Sequence, residues 1–354
     1  MTTYIIRRLL LVPLLLFGVT VLIFAMLQFL SPVERSALYV RDIPKNQNAI
    51  DGIIKKYGLD QPIYVQYWRW MVGQVDPLTH KRIGGILFGD FGYSRTASQP
   101  VVQLIRTRFP NTLDLTLWAV APVILVGIWL GVAAAVHQNG FIDQAARIFS
   151  IVGTSFPTFV FGLLMLMIFY ANLHWLPPGR MSDWASQAVF LPSFHHYTSL
   201  LTFDSLLNGR FDIFLDALRH MLLPILTLSY INWATFVRVT RSSMLETLRM
   251  EYVTTARAKG LRERDVINKH ARPNAMIPVV TLAGFQVIGL LGGVVITETV
   301  FNYPGIGAAA ASAAAQLDVV TVLGFALFDG LILIVSNLVV DVLYGVIDPR
   351  VRLS

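Results

Sequence analysis

The chain has 354 residues, of which 55% are hydrophobic and only 14% are charged, and its mean hydropathy is +0.60. Because so little polar material cannot cover a soluble globule of this size, these values exclude an ordinary soluble domain and require apolar surface that faces lipid. The absence of cysteine excludes disulfides and thiol chemistry, and the net charge of +7 is typical of headgroup contact rather than nucleic-acid binding.

Six apolar runs predict helices that cross the membrane, because each is nearly free of charge and approaches the roughly 20 residues that a span needs. They are residues 9–30, 115–136, 148–173, 221–237, 275–297 and 319–340. The first run follows Arg7 and Arg8, but it is longer than the apolar core of a signal peptide. Met26 to Pro32 also offers no small-residue cleavage site. We therefore predict a retained signal-anchor helix in residues 1–30.

Residues 31–110 form a long segment between the first two predicted spans. Within it, Tyr64, Tyr67, Trp68 and Met71 fall at i, i+3, i+4 and i+7, which predicts a helix with an aromatic stripe at the membrane surface. The glycines around GDFGYS predict turns. A second polar segment, residues 174–218, opens with LPPG, which cannot continue a helix.

The charged stretch EYVTTARAKGLRERDVINKHARPN occupies residues 251–274, between two apolar runs. Leu245, Leu248, Tyr252 and Ala256 recur at helical spacing and predict a narrow apolar stripe. Gly260 fits a helix end, and RERDVINKHA predicts a second short helix that stops at Pro273. The pattern indicates two amphipathic helices joined at a glycine, although a basic loop on anionic headgroups fits it equally well.

The distribution of positive charge predicts the orientation. Residues 241–276 carry eight basic and four acidic side chains, and Arg7, Arg8, Arg350 and Arg352 lie near the termini, so we place this side in the cytoplasm. The segment 31–110 carries 11 basic and six acidic residues, yet loops this long translocate largely regardless of charge. We therefore expect it to be extracytoplasmic, followed by a five-span core in residues 111–350.

Few residues of the sequence are candidates for a catalytic, substrate-contacting or metal-binding role. Asp329 is the charged residue inside the sixth predicted span, where it could line a passage or pair with another helix. Asp114 is expected at the membrane interface, and Asp341 or Asp348 is expected to pair with Arg350. His195 and His196 are adjacent, so on an extended strand they point apart and make a poor metal site. We expect neither a catalytic nor a metal site.

Sequence motifs for catalysis are also missing. The chain contains no G-x-x-x-x-G-K-[ST], no H-E-x-x-H and no G-x-S-x-G. A phosphate-loop ATPase, a zinc hydrolase of that type and a nucleophile-elbow esterase are therefore not indicated. Any ATP hydrolysis must come from another chain.

The charged stretch carries a family resemblance. ABC importer permeases have a cytoplasmic signature of Glu-Ala-Ala, three residues, Gly, nine residues and Ile-x-Leu-Pro, of which this chain matches Ala256, Gly260 and Pro273. Its variant YVTTARAKGL resembles the dipeptide/oligopeptide branch. Further landmarks follow that branch's order: YGLDQPIYVQYWRW, GDFGYS, SFPTFVFGLL, WLPPGR, HMLLPILTL, ETVFNYPGIG and VVDVLYGVIDPR.

The resemblance implies an all-α integral membrane protein with six helices of the type I ABC importer permease kind. It implies a heterodimer with a second permease, two ABC ATPase subunits that hold ATP and Mg²⁺, and an extracytoplasmic substrate-binding protein, in a prokaryotic inner membrane. This chain itself would bind no cofactor. The residues that the resemblance implies for ATPase coupling are Tyr252, Thr254, Thr255, Ala256, Lys259, Gly260, Leu261 and Pro273, within residues 241–276.

The same resemblance implies import of di- or oligopeptides, with Glu298 and Tyr303 of ETVFNYPGIG at an outer gate or binding-protein dock. A purely structural turn is the alternative for these two residues. Relatives with this architecture also import nickel chelates, glutathione or oligosaccharides. An ion-coupled carrier without an ATPase is the rival from another class, and such a carrier would be expected to hold paired ionisable groups at mid-membrane.

Overall fold

The computed structural model describes residues 2–38, 46–75, 80 and 82–347, and over these residues the chain is mainly helical. The expected pairing of Asp348 with Arg350, and the basic residue Arg352, lie outside the described residues. The helices are α1 Thr2–Leu27, α2 Pro32–Arg35, α3 Gln47–Tyr57, α4 Ile63–Val72, α5 Val101–Val136, α6 Phe141–Ser155, α7 Thr158–Met165, α8 Asp183–Val189, α9 Leu201–Leu207, α10 Phe211–Leu248, α11 Glu251–Ala258, α12 Glu263–Asp265, α13 Arg272–Ala275, α14 Ile277–Leu291, α15 Val295–Val300, α16 Ile306–Ala315 and α17 Val319–Ile347.

Short elements complete the described chain. π-Helical turns follow α7 at Leu166–Asn172 and join α12 to α13 at Val266–Ala271. Single 3₁₀ turns occur at Ser36–Leu38 and Ile86–Phe88. Strands β1 Gln74–Val75 and β2 Arg82–Ile83 pair antiparallel, as do β3 Tyr93–Ser94 and β4 Gln99–Pro100.

Three straight helices of the described chain are long and apolar enough to cross a membrane: Leu9–Leu27 within α1, Val101–Val136, and Val319–Val340 within α17. The third expected span is not a single helix, because α6 and α7 meet at an angle of 103°. The bend falls at Pro157, whose missing N–H and ring disfavour helix at Phe156, which is extended.

The expected fourth and fifth spans also differ from simple rods. Residues 221–237 lie inside α10, which is helical but is not among the sufficiently apolar helices. In the fifth, α14 ends at Leu291 and meets the helical stretch before it at 53°. Counting each bent pair as one span gives up to five candidates, so the count of six is not confirmed by length and composition.

The chain divides into two compact units, and the first comprises residues 1–109 and 306–354. In its described part, α1 packs against α17 through Ile23, Leu27, Leu323 and Leu327. Gly330 permits this approach, because an added Cβ would lie 2.9 Å from Val19 Cγ1. Small residues serve this purpose in membrane helix pairs, where the lack of a side chain lets backbones come close.

Helix α4 confirms the helix predicted from the aromatic stripe, but the stripe divides between two environments. Tyr67 packs against Phe24 of α1 with ring centroids 5.2 Å apart, and Met71 belongs to the same apolar cluster. Tyr64 and Trp68 instead remain 74% and 66% exposed. The exposed pair keeps the amphipathic character of rings that favour an interface.

Asp318 fixes the start of α17 within the first unit. Its carboxylate accepts hydrogen bonds from Ser94 Oγ, the Thr96 N–H, and both the N–H and Oγ1 of Thr321. Burial raises the pKa of this carboxyl, but these hydrogen bonds to the charged form more than offset that effect, and the net pKa is lowered.

The second unit comprises residues 110–305 and is organised around α10, which packs against α6, α7, α9 and α14. Helix α5 approaches α10 through Gly127 and Gly131, a small-xxx-small pair. A Cβ added at either glycine would lie 2.5 Å from the Cβ of Phe236 or Thr240. These two glycines therefore set the α5–α10 distance.

Candidate functional site

The segment 241–276 is built on an apolar base within the second unit. Val253 and Ala256 of α11 pack with Met244 of α10, Val266 of the π turn and Ala275 of α13. All five are at most 5% exposed. The charged stretch is therefore a folded part of this unit, and not a loose basic loop.

The turn between α11 and α12 is a Schellman motif closed by Gly260. The N–H of Leu261 donates to the carbonyl of Ala256, and the N–H of Gly260 donates to that of Arg257. Gly260 has φ +75°, in the left-handed region that glycine enters at little cost, which confirms the predicted helix end. The guanidinium of Arg257 pairs with the Glu263 carboxylate at 2.8 Å and so ties α11 to α12 across the turn.

Two details of this segment differ from the expectation. The stripe does not run through Tyr252, because α10 ends at Leu248, α11 begins at Glu251, and the intervening break turns Tyr252 outward to 43% exposure. Val253 takes the buried place instead.

The second helix also does not stop at Pro273, because Pro273 lies in the first turn of α13. The preceding π turn explains this, since its wider ring of hydrogen bonds moves the carbonyl that a proline ring would strike in an α-helix.

Most of the predicted coupling residues share one environment. Ala256 is buried and belongs to the base, whereas the other seven are exposed: Tyr252, Thr254, Thr255, Lys259, Gly260, Leu261 and Pro273. The segment thus presents polar and apolar side chains outward from a fixed scaffold.

A buried ion pair fixes the start of this segment. Arg241 of α10 donates to both carboxylate oxygens of Asp143 in α6, from Nε at 2.5 Å and from Nη2 at 2.8 Å. The Asp143 side chain is fully buried, and its Oδ2 also accepts the Asn139 N–H. Sequence reasoning missed this pair, because nothing local connects two residues 98 positions apart.

Two polar side chains of the ETVFNYPGIG turn are buried in the second unit. Glu298 and Tyr303 have no exposed surface. Glu298 Oε1 accepts a hydrogen bond from Thr112 Oγ1 at 2.7 Å, and an added Cβ at Gly305 would overlap the Glu298 carboxylate. Burial raises the pKa of the Tyr303 phenol above its ordinary value, so its hydroxyl stays protonated.

Asp114 is fully buried within the protein as well. Its oxygens accept hydrogen bonds from the N–H and Oγ1 of Thr202, at 3.1 and 2.5 Å. Thr202 Oγ1 accepts in turn from Trp118 Nε1 at 2.9 Å. Arg180 of WLPPGR interacts electrostatically with both Asp114 and Tyr303. These partners lie far apart in the chain, and only the quoted landmark could have pointed to Arg180.

The remaining candidate residues are Asp329, His195 and His196. Asp329 is half-buried within α17. The ring of His196 lies 3.7 Å from the Asp204 carboxylate, and the backbone of His195 bonds Asn208 on both its N–H and its carbonyl. The described residues contain no cluster of three or more His, Asp or Glu side chains that could hold a metal ion.

The described residues, with three to five candidate membrane spans, define a mainly helical, multi-pass membrane protein. Comparison with protein families identifies it further. Residues 1–116 match "Binding-prot-dependent transport system membrane comp, N-term", and residues 127–353 match "Binding-protein-dependent transport system inner membrane component". The chain belongs to this family of inner membrane transport components.

Curated relatives cover most of the chain. It is 39% identical to the probable D,D-dipeptide transport system permease protein DdpB of Escherichia coli K12, over 85% of this chain and 84% of the relative. It is 38% identical to the dipeptide transport system permease protein DppB of the same organism, over 99% of both chains. It is also 34% identical to the oligopeptide transport system permease protein AppB of Bacillus subtilis, over 99% of this chain and 100% of the relative.

Proposed function

We propose that the chain is a permease subunit of an ATP-driven, binding-protein-dependent importer of di- and oligopeptides. The observation that carries this proposal is similarity over nearly the full length to relatives named as dipeptide and oligopeptide permeases. The chain would form half of the translocation pathway. Because substrate recognition would rest largely with the binding protein, the pathway needs no dense cluster of charge.

The proposed assembly contains a second, homologous permease, two ATPase subunits and an extracytoplasmic binding protein. ATP and Mg²⁺ would be held by the ATPases, since this chain has no phosphate-loop motif. The three straight helices, the two bent pairs and α10 would supply six spans. Both termini and residues 241–276 would lie in the cytoplasm, residues 31–110 would lie outside, and residues 111–350 would form the core.

The exposed residues of the segment 241–276 would dock on an ATPase. The buried contacts of Val253, Ala256 and Val266 support this, because a segment packed onto α10 moves with α10 as one body. ATP-driven approach of two ATPases would then be converted into a change of helix packing. Glu298, Tyr303 and Asp329 are proposed to act at the gate or along the pathway.

The test is purification of the chain from its native membrane in mild detergent, with mass spectrometry of the proteins and small molecules that accompany it. We expect two ATPases, a second permease and a binding protein loaded with short peptides. A binding protein loaded with nickel chelates, glutathione or oligosaccharides would keep the assembly and refute the peptide cargo. Recovery of the chain without any ATPase, together with uptake that survives ATP depletion, would refute the importer and favour an ion-coupled carrier.

A further inference from the structure

A cleft of about 350 Å³ lies between α6 and α10 in the second unit. Its lining combines positive charge with apolar surface. Ala146 and Val237 are buried in its wall, and the residues that line it are Ala146, Arg147, Ser150, Ile151, Val237, Arg238, Arg241 and Ser242.

The cleft carries more positive charge than its own protein neighbours neutralise. Arg241 is bound by both oxygens of Asp143, the carboxylate beside the cleft. Arg147 and Arg238 are exposed, and neither forms an ion pair with any residue of the described chain. Three guanidinium groups therefore face one carboxylate, which leaves an excess of two positive charges.

An apolar strip continues from the charged part of the cleft along α6. Ile151 lies one turn beyond Arg147, and it is 64% exposed. Ile148 is 62% exposed and Val152 is 39% exposed, so the strip extends over neighbouring positions of the same helix. A ligand that fits this arrangement has an anionic head and a hydrocarbon tail.

We propose that this cleft binds one anionic phospholipid, with its phosphate held by Arg147 and Arg238 and an acyl chain along Ile148 and Ile151. Guanidinium groups suit this task because their planar donors match phosphate oxygens in pairs. Basic pockets between membrane helices recognise lipid headgroups by the same chemistry. Free phosphate would use the two arginines but would leave the apolar strip uncovered. The inference does not depend on the proposed cargo.

The location gives the lipid a role. Arg241 begins the segment 241–276, and its ion pair with Asp143 joins α10 to α6 beside the cleft. A bound headgroup would offset the excess positive charge at this junction, and it would hold the two helices together through Arg147 on α6 and Arg238 on α10. The lipid would thus stabilise the start of the segment 241–276, at Arg241.

The experiment uses the purified complex, delipidated in detergent and then incubated with defined mixtures of phosphatidylglycerol and phosphatidylcholine before native mass spectrometry. The variant is Arg147→Gln with Arg238→Gln. The matched control is Arg95→Gln with Arg106→Gln, which removes two exposed positive charges of the first unit, outside both the cleft and the segment 241–276. We expect the original complex and the control to retain phosphatidylglycerol. The cleft variant should lose it by roughly 25-fold, since each of the two arginines near a membrane surface contributes about a fivefold effect.

Equal phosphatidylglycerol retention by the cleft variant and the control would overturn the proposal. Displacement of the lipid by millimolar inorganic phosphate would also overturn it, because the site would then recognise phosphate alone. The apparent unfolding temperature, measured for each variant in detergent without added lipid, should match that of the original complex. A rise in this temperature on adding phosphatidylglycerol should occur for the original and the control, and its presence in the cleft variant would contradict the assignment.

Discussion

Replacement of Gly260 by aspartate separates the folding of the turn from its proposed contact with an ATPase. Gly260 has φ +75°, and an added Cβ would meet no atom within 4 Å. The cost inside the chain is therefore that of the left-handed backbone alone, about 1–2 kcal/mol for an ordinary residue and at the low end for aspartate, which tolerates this region. Because proteins are stable by roughly 5–15 kcal/mol, the variant should fold.

The matched control is Gly209→Asp, since Gly209 has φ +69° and equally open surroundings in the turn between α9 and α10. Both variants should insert into the membrane and lower the apparent unfolding temperature by similar small amounts. Only Gly260→Asp should lose the co-purifying ATPase and ATP-driven uptake, because its carboxylate would enter the proposed contact. The assays are membrane fractionation, thermal unfolding in detergent, ATPase co-purification and uptake into vesicles.

Normal ATPase assembly and uptake by Gly260→Asp would refute the coupling assignment. Equal loss of uptake in both variants would also refute it, because the defect would then follow from backbone strain at either turn. A large fall in unfolding temperature for Gly260→Asp alone would contradict the open surroundings on which the magnitude rests.

Three further predictions follow from buried polar groups. Gly305→Ala should destabilise the protein by about 1–3 kcal/mol, because its methyl group would overlap the buried Glu298 carboxylate; an unchanged unfolding temperature would contradict this packing. Arg241→Gln should cost somewhat less than the roughly 3–5 kcal/mol of a fully buried pair, because part of Arg241 is exposed, and adding Asp143→Asn should restore most of the loss in thermal unfolding. Because the pKa of Asp318 is lower in the folded than in the unfolded chain, its ionised carboxylate stabilises the fold at pH values above the unfolded pKa of about 3.9. This stabilisation should be lost as the pH falls through the folded pKa. Asp318→Asn should flatten acid unfolding in that range, and an unaltered acid profile would exclude the effect.

The sequence was most informative where the determining interaction is local. The long apolar runs in α1, α5 and α17 were predicted correctly, since length and hydropathy suffice to specify a straight span. Gly260 was also predicted as a helix end, because its left-handed conformation is a property of one residue. The length and hydropathy of apolar runs therefore predicted the straight helices, and residue type predicted the turn at the centre of the candidate site.

The same local rules failed where a distant partner or an irregular helix decides the structure. Pro157 disfavours helix at Phe156, yet a single proline does not specify the 103° angle between the two halves. Pro273 was expected to end a helix, but the π turn before it removes the steric reason for stopping. Asp114 is buried because Thr202, 88 residues away, supplies two hydrogen bonds, and no periodicity encodes that pairing.

The arrangement of contacts in residues 241–276 argues that this segment moves as a unit with α10. At one end Arg241 is held by the buried Asp143 carboxylate, and near the other Ser243 Oγ donates to the carbonyl of Ala275 at 2.8 Å. Between them, the Schellman turn and the Arg257 pair leave the exposed surface little freedom to deform separately. If this surface docks on an ATPase as proposed, the contacts of Val253, Ala256 and Val266 with α10 and its neighbours would carry the ATPase motion to α10.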